Sequence, residues 1–312
     1  MVGWILLYVL WQAPSFGWLL VVLAVAIYQL KRIFPYTKLH SLEVPSAESN
    51  KGNASSIKIL ISNVLMTNRN SETLKSLITQ YEPDIFATLE SDAWWKAELD
   101  TLPAYPHKLA RTLDNLYGMH VYSKYPFSEE QIIDMVEENV PSMHAFVTLP
   151  NGDRLKLHIL HPKPPAPEEN YKSIERDVEL LMLAQQLKGS TDKLIVTGDL
   201  NDVAWSDTTQ LFRQISGLLD IRVGRGFLNT FHADHWFLRW PLDHVFTSSH
   251  FKVKNVQRLP NIGSDHFPVF TELEISDTPA VNTSPDLDDA DQDLVEETLD
   301  SKIAENALQP TS

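Results

Sequence analysis

Between Ile57 and Ile275, apolar runs of about five residues alternate with polar segments. That rhythm predicts strands at Ile57–Ser62, Ile85–Leu89, Met119–Ser123, Ala145–Leu149, Leu155–Leu160, Leu194–Thr197, Asp243–Thr247 and Val269–Leu273. The clearest helical pattern is Tyr171–Leu187, where Ile174, Val178, Leu181 and Gln185 mark one side and Glu175, Arg176, Glu179 and Lys188 are polar neighbours. Strands outnumber helices, and several adjoin with no room for a crossover helix. The expected class is therefore α/β, with two packed mixed β-sheets flanked by helices rather than a doubly wound parallel sheet.

The N-terminus follows a different rule. Residues 3 to 30 are almost wholly apolar and carry no charge, which is longer than the ~20 residues a membrane span requires. Pro14 and Gly17 interrupt the run, so it reads as one kinked span or as a hairpin of two. A cleaved signal peptide fits poorly, because no basic residue precedes the run and no small-residue cleavage site follows it. The expected divisions are a transmembrane segment at 1–32, a polar linker at 33–56, an α/β domain at 57–275 and a tail at 276–312. Lys31, Arg32 and Lys38 follow the run, and the positive-inside rule assigns the domain to the cytoplasm.

Charge changes the picture once it is located. The formal net charge is −15, but from Asp277 onward ten acidic residues face Lys302 alone. That tail is poor in aromatics and rich in Asp, Glu, Pro, Ser and Thr, a composition expected to stay disordered. The remainder is mildly acidic and lacks the basic surplus of proteins that grip long nucleic acids through phosphates. The chain has no cysteine. Disulfides, thiolate zinc sites and a cysteine nucleophile are thereby excluded.

Candidate chemistry gathers at strand ends. In Leu194-Ile195-Val196-Thr197-Gly198-Asp199-Leu200-Asn201 a buried strand runs into Asp199 and Asn201, which point the same way if the chain stays extended. A carboxylate and an amide so placed suit holding a water against a phosphorus centre. Gly263-Ser264-Asp265-His266 offers a hard oxygen ligand in Asp265 and a titratable imidazole in His266. Ser264, Asp265 and His266 are not a hydrolase triad, because consecutive side chains diverge and a triad converges from different elements. Asp243 opens an apolar strand and is placed to orient His266; Glu90 ends another strand as a second metal ligand. Asn63 and His161 close two more strands, whereas His158 and the remaining histidines read as structural. A lone strand-end Asp or Asn is usually a turn former. A whole set of such termini, each suited to phosphate esters, is a different matter.

Taken together these motifs resemble the endonuclease/exonuclease/phosphatase superfamily, which includes deoxyribonuclease I, apurinic endonucleases, sphingomyelinases and inositol polyphosphate phosphatases. The resemblance covers residues 57 to about 275. Asn63 matches the first-strand asparagine, Glu90 the metal-binding glutamate, His161 the middle histidine, Asp199 and Asn201 the Gly-Asp-x-Asn motif, Asp243 the late aspartate, and Asp265 and His266 the closing Ser-Asp-His. His161-Pro162-Lys163-Pro164-Pro165 and Gly224-Arg225-Gly226 before Thr230-Phe231 are similar to a bacterial membrane-bound subgroup.

The resemblance implies a four-layer sandwich with the site at the mouth between the sheets. It implies Mg²⁺ or Mn²⁺ on Glu90 and Asp265 with Asn63 bridging the ligands, Asp199 as base, His266 as a cationic donor paired with Asp243, and His161 on a phosphate oxygen. It also implies an extracytoplasmic, periplasmic domain, opposing the charge rule, and the periplasmic side is the expected one. The expected reaction is in-line hydrolysis of a phosphodiester in nucleic acid, with a phospholipid or small phosphate ester as the alternative. The expected setting is the lipid bilayer, with no obligate protein partner. A tethered, non-catalytic binding module is the reading from another class, and it predicts erosion of the site residues.

Overall fold

The computed structural model describes residues 4, 8, 16–48, 55–164, 174–276 and 289–308. It divides into two compact units, residues 1–42 with 222–227, and residues 43–221 with 228–312.

In the first unit, helix α1 (Phe16–Ile33) leads into a single 3-10 turn at Phe34–Tyr36, where Pro35 ends the helical run. Apolar side chains lie exposed on every side of α1, among them Trp18, Leu20, Leu23, Ile27 and Leu30. Residues Trp18–Tyr36 are long and apolar enough to cross a membrane. Whether an earlier segment makes a hairpin lies outside the described residues.

The second unit holds two six-stranded sheets. The first orders β11 (Phe251–Arg258), β12 (Val269–Ile275), β1 (Ser56–Asn63), β2 (Ile85–Leu89), β4 (Met119–Ser123) and β3 (His107–Arg111). The second orders β5 (Phe127–Asp134), β6 (Pro141–Thr148), β7 (Arg154–Leu160), β8 (Leu194–Asp199), β10 (Asp243–Thr247) and β9 (Leu219–Asp220). Each sheet has one parallel pair at its centre, β1 with β2 and β7 with β8. A parallel pair needs a crossover, and helices α2 (Ser71–Tyr81) and α4 (Ile174–Leu187) supply the two. The neighbours of both pairs are antiparallel, so the sheets repeat one plan.

Alternation along the strands builds the layers. Ile57, Ile59 and Ile61 of β1 meet Met143, Ala145, Leu157, Ile159, Ile195 and Val245 in the core between the sheets. Leu60 and Phe86 face outward onto α2 and α3 (Ala93–Leu99). Val196 and Phe246 face outward onto α4 and α5 (Asp207–Ser216). Each such aliphatic side chain stabilises the fold by roughly 1.5–3 kcal/mol relative to exposure.

Three expectations about boundaries are corrected. The linker is shorter than 33–56: Val44 is fully buried in the inter-sheet core and Ser46 bridges Val253. Glu43 pairs with Arg213 and accepts the backbone N–H of Asp220. The domain therefore begins near Glu43. The tail is not wholly without structure, because α6 (Asp289–Leu308) buries Val295 and leans Leu299 on the α4/α5 cluster. These two apolar residues sit four apart on one helix face, a feature that an averaged acidic composition conceals. Residues 277–288 lie outside the described residues. Lastly, β6 starts at Pro141 rather than Ala145.

Candidate active site

The parallel pairs bring chemistry to one end of each sheet. In β1 and β2, Asn63 registers with Leu89, which sets Asn63 beside Glu90. In β7 and β8, Leu160 registers with Gly198, which sets His161 beside Asp199. β10 runs antiparallel to β8 with Asp243 opposite Asp199. His266, just ahead of β12, completes the convergence. Gly198 is obligatory for the approach: its φ is +143°, and a Cβ there would lie 1.9 Å from the Leu160 carbonyl oxygen.

The resulting contacts form one network. Asn63, almost fully buried, donates both side-chain hydrogens, to Glu90 Oε1 at 2.8 Å and to Asp199 Oδ2 at 3.1 Å. His266 Nδ1 lies 2.8 Å from Asp243 Oδ2, and its Nε2 lies 3.3 Å from Asp199 Oδ2. His161 Nε2 approaches the same oxygen at 3.9 Å. Asp265 adjoins the network, its charge acting on both Glu90 and His266. Glu90 and Asn201 hold left-handed backbone angles, φ 55° and 51°, sparsely populated outside glycine and typical of sites held in place by their surroundings.

Asn63, Glu90, His161, Asp199, Asp243, Asp265 and His266 thus come together. Asn201 does so only through its backbone, whose N–H donates to Asp199 Oδ1 at 3.0 Å. Its side chain donates instead to the Pro162 carbonyl at 2.9 Å. The expected shared direction fails because β8 ends at Asp199 and the chain turns left-handed at Asn201. Ser264 bears no triad geometry; its hydroxyl donates to the Asn63 carbonyl at 2.8 Å and accepts the His266 N–H at 3.1 Å. His158 is absent from the site and bonds His144 at 2.6 Å.

Three contributors escape sequence reasoning. Tyr117 packs at 5.4 Å from the His161 ring, and Phe231 at 4.8 Å from His266. Arg176 donates to the Asn201 carbonyl at 2.7 Å and fixes that turn. Arg176 reads as an ordinary polar face of its helix, and the loop aromatics carry no periodic signal.

Electrostatics separate the roles. Burial lifts the Glu90 carboxyl to about 7, with Asp199 and Asp265 adding to the rise and the Asn63 hydrogen bond opposing it. Burial works against charge on His266, but Asp199 and Asp243 outweigh it and raise the imidazole to about 10. Burial also pushes Asp199 above the ordinary carboxylate value, against the pull of His266. Burial lowers His161, which favours the neutral imidazole. Tyr117 is raised to about 12 by burial and by Glu137, Glu90 and Asp199, and stays a phenol.

Four carboxylates, Glu90, Asp199, Asp243 and Asp265, face one imidazolium, an excess of hard oxygen donors that fits a divalent cation. Asp199, Asp243 and His266 also offer ligand atoms within 4.8 Å of one another and form a candidate metal cluster.

No curated protein matches the chain. Among solved structures, a humanised D. rerio TDP2 is similar at a TM-score of 0.58 and 18% identity, over 70% of this chain and 99% of that one. The human Nocturnin catalytic domain gives 0.58 and 16%, over 71% and 95%. An endonuclease/exonuclease/phosphatase from Beutenbergia cavernae gives 0.58 and 16%, over 72% of each. The model of the endonuclease/exonuclease/phosphatase family matches residues 60–266. The chain belongs to that family and is a phosphoester hydrolase of its type.

Proposed function

We propose that this protein is a membrane-anchored, divalent-metal-dependent phosphodiesterase that hydrolyses its substrate by in-line attack of water. The observation that carries the reading is the convergence on Asp199 Oδ2 of Asn63, His161 and His266, all within 3.9 Å. Glu90 and Asp265, with Asn63 bridging, would hold Mg²⁺ or Mn²⁺, which when bound neutralises charge on the phosphoryl and leaving oxygens. Asp199, held by the Asn201 backbone and raised by burial, aligns the water and takes its proton as oxygen attacks phosphorus, while the phosphorus–oxygen bond opposite breaks and the leaving oxygen departs to take a proton from water. His266, kept charged by Asp243, donates to the developing phosphorane. His161 donates from neutral imidazole to a phosphoryl oxygen.

A nucleic acid substrate finds support in a D. rerio TDP2 structure complexed with a single-strand DNA product, a protein of the same fold. The anchoring reading rests on the length of α1 and on its exposed apolar side chains. The proposed side is the periplasmic one. Because the chain has no cysteine, an exposed Asn151→Cys reacting with an impermeant maleimide in intact cells supports it, and silence until lysis reverses it.

The test is turnover by the full chain in detergent with Mg²⁺ or Mn²⁺ against DNA, RNA, phospholipids and sugar phosphates. Cleavage that falls steeply with salt identifies a nucleic acid. Turnover that survives exhaustive EDTA dialysis removes the metal assignment.

A further inference from the structure

The loop 232–240 displays an apolar tip that the fold does not use. Trp236 is 83% exposed, Phe237 65%, Leu238 40% and Trp240 39%. The base of this loop is firmly built. Phe231 and Trp240 bridge each other across its neck, and Phe231 also bridges His266. Ala233 donates its backbone N–H to the Asp265 carbonyl at 2.6 Å, and Arg239 returns to the Ala233 carbonyl at 3.2 Å. The tip therefore projects from the residues that carry the chemistry. On the His161 side, Leu116, next to Tyr117, is likewise exposed.

Soluble surfaces rarely keep contiguous aromatic and aliphatic side chains in water without a partner. Two observations select which partner. The tip has no lysine, its exposed charge at Asp234 is negative, and Leu238 has no face on which a base stacks. Arg239 and Arg258, the nearby cations, lie over the Phe267 ring. The same chain carries α1, exposed and apolar along its length and long enough to cross a membrane. A tether of this kind keeps the domain at a high local concentration of membrane surface. Tryptophan with an apolar neighbour is the pairing favoured at the headgroup level of a bilayer.

We propose that the 232–240 loop is a bilayer-docking lip, which seats Trp236, Phe237 and Leu238 in the membrane interface and opens the site onto phosphoesters presented there. This deepens the phosphoesterase reading and rests on it for the substrate class alone.

The absence of cysteine makes one introduced thiol unique. The full chain carrying Phe237→Cys, or Trp236→Cys as a second position, is labelled with an environment-sensitive fluorophore and reconstituted in phosphatidylcholine/phosphatidylglycerol vesicles. Asn151→Cys serves as the polar reference. The expected result is at least two-fold stronger quenching by nitroxide-labelled lipid at the loop than at the reference. Equal, water-like behaviour at both positions overturns the proposal. So does shielding that appears only with a single-stranded oligonucleotide, which would make the lip a base platform. Disulfide-linked pairs of unlabelled Phe237→Cys, with no lipid quenching, would instead reveal a second copy as the occupant. None of these readouts needs turnover, so a failed substrate panel and a failed lip are told apart.

Discussion

Three side chains converge on one oxygen, Asp199 Oδ2: Asn63 donates to it, and His266 and His161 lie 3.3 and 3.9 Å away. Asp199→Asn keeps the shape and removes the proposed base. Asp199→Asn and His266→Gln should each lower turnover at least about 10²-fold, with the thermal unfolding profile retained as the sign of an intact fold. A second residue-scale prediction concerns His144 and His158, which burial lowers to about 4 and about 2. The unfolded chain protonates such groups below about 6.5 and the folded chain does not, so it is the unfolded state that binds the extra protons there. Stability is fully present above that pH and is lost as pH falls through the folded values, on the order of 1.4 kcal/mol per pH unit for each histidine. Urea midpoints at pH 7 and pH 4.5 check this, and His158→Leu should make the decline shallower. The residues that converge at the mouth were legible because strand ends carry polar side chains at fixed places. The use made of Asn201 was not, since one left-handed residue turned its amide to Pro162.

At the scale of elements, β7 and β8 meet through a glycine. Gly198→Ala drives a methyl into the Leu160 carbonyl, a backbone atom with nowhere to yield. The variant should lose more than about 2 kcal/mol in urea unfolding, and its turnover should fall with the displaced Asp199. The tail helix gives a milder case. Val295→Ser should cost about 1 kcal/mol at most, because α6 can detach and so cap the penalty, with faster proteolysis of the tail as the readout. The eight strands read from sequence are the inner ones. Those unread, β3, β5, β9 and β11, are the four edges of the two sheets. Edge strands are wetted along one side, and β5 exposes Glu129 and Glu130 in a bulged stretch, so no apolar run announces them. β9 is two residues long and visible only through its pairing.

For the whole molecule, the crowd of carboxylates at the mouth predicts stabilisation by metal. Mn²⁺ or Mg²⁺ at a hundred times its Kd should add about 2.7 kcal/mol, seen as a rise in Tm. Glu90→Gln combined with Asp265→Asn should abolish the rise. An undiminished rise in that variant would move the cation to Asp199, Asp243 and His266. The Asn63 amide also spans the molecule, with one hydrogen on Glu90 of its own sheet and the other on Asp199 of the opposite sheet. A slip of one sheet past the other by a single residue, about 3.3 Å, breaks that double grip. The greasy filling between the sheets is thus the gauge that calibrates the reaction. Ala87→Val and Met143→Ala, in that core and a few residues along the strands from Asn63, Glu90 and His161, should lower turnover together with stability, read by kinetics beside urea unfolding.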